Sequence, residues 1–190
     1  MISLIGTRPA IQVGRYQVIN YDTAWLDEAL RRAAAAAERH DFPFVEDIRL
    51  GIEMYLETKC PLKLLPLADL FERLRHMLVR IGCDTIADKL EPLAPPVTLS
   101  LVRFACEAGN GFELAFFSRL RGELSHLHKA GAEEIRFTGL SDAALTLSGL
   151  EKWDTRCDQI LTEIRNFLGR LDREQRPFHR PLRLRVENER

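Results

Sequence analysis

The sequence predicts a mixed α+β chain, mostly helical, built as an N-terminal β-hairpin with four helices followed by a small β-α-β-α(-β) domain. Three observations carry this. Apolar residues alternate on either side of Gly14-Arg15, the mark of two short paired strands. Four apolar stripes at three-to-four spacing follow, each long enough for a helix or a short helical turn. Then "EPLAPPV", residues 91–97, breaks the pattern, because Pro92, Pro95 and Pro96 remove amide donors and restrict the residues before them. The expected domains are therefore 1–92 and 97–190.

In the first domain "AIQVGRYQVINYD" reads as two strands joined by a tight turn. Asp22 or Thr23 caps the first helix, and Asp27 and Glu28 stand in its first turns, where the helix dipole favours negative charge. Its stripe is Leu26, Leu30, Ala33, Ala34 and Ala37, small enough in part for another helix to approach closely, and it should end before Pro43. A second helix buries Val45, Ile48, Ile52, Tyr55 and Leu56 and ends before Pro61. Leu67, Leu70, Phe71, Leu74, Leu78 and Ile81 define a third, which Gly82 separates from a short fourth marked by Ile86, Ala87 and Leu90.

The second domain opens with "VTLSLVRFAC", alternating and rich in branched residues, which reads as a strand broken by "GNG" at 109–111. Phe116, Leu120, Leu124 and Leu127 then stripe a helix that ends near Gly131, and "EEIRFTG" is a short strand. "SDAALTLSGL" reads as a short serine-capped helix, and Trp153, Ile160, Ile164, Phe167, Leu168 and Leu171 stripe a longer one. The tail "PLRLRVENER" sets Leu182, Leu184 and Val186 opposite Arg183 and Arg185, as an edge strand guarded by charge does.

Composition excludes several classes. A chain of 190 residues with 46% hydrophobic content can bury a substantial core, which disordered and fibrous sequences cannot. With 27 basic and 28 acidic side chains the net charge is -1, so no global field draws it to nucleic acid or to an acidic membrane. "MISLIGTRPAIQV" lacks a basic segment followed by a long apolar run, and no stretch approaches the roughly 18 apolar residues of a spanning helix. A soluble, cytoplasmic protein is expected. Cys60, Cys83, Cys106 and Cys157 lie far apart with no CxxC spacing, so buried free thiols are expected rather than a zinc site or redox pair.

Few residues carry chemistry. A strand, a glycine break and a helix can present backbone N–H groups to a phosphate, which makes Gly109, Asn110 and Gly111 a phosphate-loop candidate. The loop lacks the third glycine of a dinucleotide fingerprint and the lysine of a P-loop, and an ordinary βα turn also accounts for it. At a domain boundary it is nevertheless where an enzyme or enzyme subunit would hold a ligand. His126 and His128 are two apart on a helix, so they point about 200° away from each other and cannot share an ion. His40, His76 and His179 read as surface residues, and Ser118 lacks a G-x-S-x-G elbow. The acidic pairs Asp27-Glu28 and Glu133-Glu134 are sequence neighbours that diverge on a helix or strand. The segment "GRLDREQRPFHRPLRLRVENER" has seven arginines against four acids, with Phe178 among them, and is a candidate for RNA or an acidic partner.

Tyr21 is followed by Leu26 and Leu30, and "LLPLADLFERLRHMLVRIGCDTIADKL" pairs a leucine-rich helix with a short one carrying Ile86-Ala87. In these features residues 1 to about 92 resemble the ATP-cone domain, the regulatory module at the start of many ribonucleotide reductase large subunits and in the repressor of their genes. The resemblance implies a strand hairpin, an aromatic residue leading into helix one, and three further helices. It also implies that a Val-x-Lys-Arg-x-Gly strand meets the nucleotide's phosphates. The matching strand here is "IQVGRYQV", in which Val13 or Ile11 takes the valine place and no Lys-Arg pair follows. Arg8, Arg15 and Lys89 are the cations left for a nucleotide-binding role. The function that follows is a non-enzymatic regulatory or protein-interaction protein, needing no cofactor, with ATP or dATP as its effector where one is sensed. Partners implied are a second copy of the chain or a separate regulated protein. Trp25 is a candidate for that self-association, or else packs the hairpin onto the first helix.

Overall fold

The computed structural model describes residues 8–109, 111–175 and 180–187. The chain is mixed α+β and divides into two compact units between Pro95 and Pro96. Among the described residues, no helix is long and apolar enough to cross a membrane.

In the first unit, β1 (Ala10–Val13) and β2 (Tyr16–Val18) pair antiparallel, with Val13 opposite Tyr16 and Ile11 opposite Val18. Two-residue hairpin turns call for a positive φ at their first central position, which Gly14 supplies at 57°. A third strand, β3 (Leu64–Pro66), lies parallel on the other side of β1 and completes the order β2-β1-β3. Sequence periodicity does not show β3. Three residues are too few to display alternation, and their hydrogen-bonding partner lies far away in the chain. Pro66, without an amide, is tolerated because β3 is an edge.

Four helices follow the expected stripes. α1 (Ala24–Ala36) buries Trp25, Leu26, Ala29, Leu30, Ala33 and Ala34. α2 (Val45–Thr58) buries Val45, Ile48, Ile52 and Leu56, while Tyr55 is half-buried and its hydroxyl accepts from Arg73. α3 (Leu67–Arg80) buries Leu67, Leu70, Phe71, Leu74 and Leu78, and α4 (Asp84–Lys89) buries Ile86 and Ala87. Ile81, expected on the α3 stripe, is 54% exposed because the helix has already ended.

α1 stops well short of Pro43. The Arg39 N–H donates to the Ala34 carbonyl at 2.8 Å and the Glu38 N–H to Ala35 at 3.0 Å, which is a Schellman closure. The residue in its left-handed position is Glu38, with φ 59°. α3 closes the same way around Gly82, where the Cys83 N–H reaches the Leu78 carbonyl at 2.9 Å. Of the two capping residues expected, Thr23 precedes the first helix without making a side-chain cap, whereas Asp22 Oδ1 accepts from the Ala24 N–H at 3.0 Å.

The second unit contains two successive βαα segments and a closing strand: β4 (Val97–Ser100), α5 (Leu101–Ala108), α6 (Glu113–Lys129), β5 (Glu134–Thr138), α7 (Leu140–Ser148), α8 (Thr155–Gln175) and β6 (Arg183–Val186). The strands form a parallel sheet in the order β4-β5-β6, with Thr98 beside Arg136 and Arg136 beside Arg185. Val97, Leu99, Ile135 and Phe137 face the helices and are at most 1% exposed. Phe116, Leu120, Leu124 and Leu127 are buried along α6 as their spacing requires.

Three expectations need correction here. The strand expected over 97–106 ends at Ser100, and a helix begins at Leu101. Leu99 and Leu101 continue the alternation, but Leu101, Phe104 and Ala105 also stand at helical spacing, and all three are buried in α5. Ser141 lies inside α7, whose N-cap is Gly139 in the left-handed region at φ 70°. Trp153 precedes α8, is 44% exposed, and donates from its indole to Asp158 Oδ1 at 3.0 Å. Asp154 caps that helix, accepting from the Arg156 N–H at 2.8 Å and the Cys157 N–H at 3.3 Å.

Candidate functional site

The cations the resemblance singles out stand on separate elements. Arg8, just before β1, lies against α2, where Glu53 and Glu57 are one turn apart and share a face. Its guanidinium reaches Glu57 Oε1 through Nε at 2.9 Å and Nη2 at 2.5 Å, and Nη2 also pairs with Glu53. The Glu57 hydrogen bond is the main cause that raises the Arg8 pKa above its ordinary value. Arg49 approaches Glu53 from the other side, at 3.0 Å, while also donating to Thr23 Oγ1 at 3.1 Å and standing 3.3 Å from Asp27 Oδ1. Glu53 is thus held between two arginines. With Glu46 at 3.9 Å from Arg49, the cluster sets two guanidiniums against four carboxylates, Asp27, Glu46, Glu53 and Glu57.

This arrangement already does for Arg8 what a phosphate would do. A bound anion must displace two carboxylates preorganised on one helix face, in a region of net negative charge. The signal was present in the sequence as Glu53 and Glu57 at i,i+4 spacing, beside Arg49. What the sequence lacks is the partner, because Arg8 is far from them in the chain.

Arg15 is exposed in the hairpin turn, with its guanidinium 5.6 Å from the centre of the Tyr16 ring. At the rise of an extended chain it is roughly 15–20 Å from Arg8, at the opposite end of β1. Lys89 is exposed in the last turn of α4, a helix that packs on α3 and α1.

Tyr21 and Trp25 connect the hairpin to the helices. The Tyr21 hydroxyl donates to the Pro9 carbonyl at 2.8 Å, and burial pushes its pKa up to about 12 against the opposing pull of Arg8. Tyr21 meets Trp25 edge-on at 6.3 Å, and Trp25 packs on Phe71 at 6.2 Å. Trp25 is 6% exposed and donates its indole N–H to the Asp22 carbonyl at 2.8 Å. It is a core residue of the junction, not a surface one.

The strand-to-helix phosphate loop expected at Gly109–Gly111 is a helix-to-helix turn. Gly109 ends α5 at φ 87°, and the Gly111 N–H donates to the Leu147 carbonyl of α7 at 3.1 Å. That amide is engaged within the fold, and Asn110 lies outside the described residues. Of the four thiols, Cys157 is buried against Ser148 Oγ at 3.4 Å, Cys60 and Cys83 are half-buried, and Cys106 is exposed, contrary to four buried thiols.

The arginine-rich tail is partly consumed by structure. Arg180 donates to Glu133 at 2.6 Å, and the buried Glu133 side chain is 4% exposed. The His128 ring donates from Nε2 to the Arg180 carbonyl at 2.8 Å, which gives this histidine an anchoring role that its sequence position did not reveal. Phe178 and His179 lie outside the described residues. Among the described residues, no group of three or more His, Cys, Asp and Glu is placed to hold a metal ion. Comparison with protein-family models, curated proteins and solved structures finds no match to this chain.

Proposed function

We propose that the protein is a non-enzymatic regulatory or protein-interaction protein whose first unit is an ATP-cone-like module. The order hairpin, α1, α2, α3, α4, with Tyr21 leading into α1 and Trp25 packed on Phe71, supports the module.

The observation that carries the reading toward interaction rather than nucleotide sensing is the occupation of Arg8 by Glu53 and Glu57. The test is thermal unfolding with ATP and with dATP at about 1 mM. A ligand at about 100 times its dissociation constant stabilises by about 2.7 kcal/mol, a rise of several degrees for a unit of this size. The expected result is no rise with either nucleotide. A rise that disappears in Arg8→Ala would overturn the interaction-only reading and make the module a nucleotide sensor.

A further inference from the structure

We propose that the outer edge of β6, the end strand of its sheet among the described residues, takes an extended acidic segment of a partner protein as an added strand. This inference stands apart from the ATP-cone reading, which concerns the first unit.

The backbone of β6 alternates. The Arg183 N–H donates to the Glu133 carbonyl at 2.8 Å and the Glu187 N–H to Phe137 at 2.9 Å, so the odd-numbered amides face β5. Leu184 and Val186 therefore turn their main-chain groups outward, as alternate residues of an edge strand do. The Leu184 N–H donates to Asp172 Oδ1 at 3.3 Å, so a carboxylate from α8 already serves as acceptor for this edge. A cavity of about 400 Å³ runs beside the strand, lined by Asp172, Pro181, Leu182, Arg183, Leu184 and Arg185.

The side chains define what the added strand should carry. Arg183 and Arg185 project to the sheet face opposite Ile135 and Phe137. Parallel sheets are usually covered on both faces, yet Thr98, Ser100, Arg183 and Arg185 are exposed on this one. Over β5, β6 and the adjoining Glu187 it carries three guanidiniums, Arg136, Arg183 and Arg185, and two carboxylates, Glu134 and Glu187. Arg136 and Arg185 are direct cross-strand neighbours, an arrangement that costs stability between like charges. Glu134 bridges them at 2.9 and 3.8 Å, and Arg183 makes no ion pair among the described residues. On the helix side of the same edge, Leu124, Leu171, Leu182 and Leu184 help line a second cavity of about 290 Å³. A strand laid on β6 thus meets Arg183 and Arg185 with one set of alternate side chains and Leu184 and Val186 with the other.

Two other occupants fit less well. Nucleic acid cannot extend a β-ladder, and the chain's net charge of -1 supplies no long-range attraction for it. A second β6 would bring Arg183 and Arg185 against their own copies.

The experiment uses the full chain and a fluorescent peptide of about eight residues alternating glutamate with valine, a length typical of edge pairing. Fluorescence anisotropy should show binding that weakens as salt rises, and no binding of the same peptide with lysine for glutamate. Combined Arg183→Glu and Arg185→Glu should weaken it about tenfold or more, the effect of losing charge-assisted hydrogen bonds, while Arg165→Glu on α8 leaves it unchanged. Val186→Pro removes an outward N–H, which an edge strand tolerates, and should weaken binding with the circular dichroism spectrum and melting temperature retained. Equal binding of the lysine peptide, no effect of the arginine reversals, or no binding up to about 1 mM would overturn the proposal. So would single-stranded RNA binding, or self-association, that is lost in the same variants.

Discussion

Gly139→Ala should be among the most costly single-methyl additions in the second unit. Gly139 joins β5 to α7 at φ 70°, and a Cβ built there lies 2.6 Å from Val102 Cγ2 of α5. An L-residue in the left-handed region costs about 1–2 kcal/mol. Forcing a methyl into a packed site costs about 1–3 kcal/mol more. Together these give about 2–5 kcal/mol, which for a unit spanning Pro96–Arg190 lowers the melting temperature by roughly 10 °C or more. The assay is thermal and denaturant unfolding of Gly139→Ala, Val102→Ala and the double variant. Val102→Ala removes the clashing methyl, so the double variant should recover the steric share and leave the backbone share, with a coupling of about 1–3 kcal/mol. Gly122→Ala is the control: Gly122 lies inside α6 with nothing within 4 Å of an added Cβ, and the change should stabilise by about 0.5–1 kcal/mol. A Gly139→Ala cost no larger than a surface substitution, or a double variant that recovers nothing, would refute this reasoning.

Two further outcomes follow from the first unit. Glu38→Gly should stabilise the protein by about 0.5–1 kcal/mol, read as a higher denaturant midpoint, because relief of the left-handed strain at φ 59° outweighs the added freedom of the unfolded chain; a lower midpoint would count against the Schellman assignment. The Tyr21 phenol should ionise near pH 12 in an ultraviolet titration, whereas the unfolded chain loses that proton near pH 10. The folded state then holds one proton more than the unfolded state between those values, so stability is complete below about pH 10 and falls as pH rises toward 12. A Tyr21→Phe variant should lack that share of the fall.

Within single elements, the sequence was a good guide to what is buried. Stripes such as Leu67, Leu70, Phe71, Leu74 and Leu78 coincide with the buried faces of their helices, since helical periodicity and core burial are the same geometric fact. Boundaries were less legible. α1 ends at a Schellman closure whose left-handed residue is a glutamate, so the usual glycine marker is missing at that position. "VTLSLVRFAC" satisfies both periods at once, and only packing of Phe104 and Ala105 selects a helix from Leu101 onward.

The sequence by itself determined the residue types available: apolar faces for two compact units, one hairpin, and a chain with almost balanced charge. Tertiary structure decided which of them meet. Arg8 looked like a cation left over for a nucleotide, but folding places it on Glu53 and Glu57. Gly111 looked like a phosphate-loop residue, but its amide belongs to Leu147. Arg136 and Arg185 are distant in sequence and adjacent across a parallel ladder. Local periodicity records how a segment buries its own face, whereas a charge's partner and an amide's acceptor come from segments far along the chain, where no spacing rule reaches.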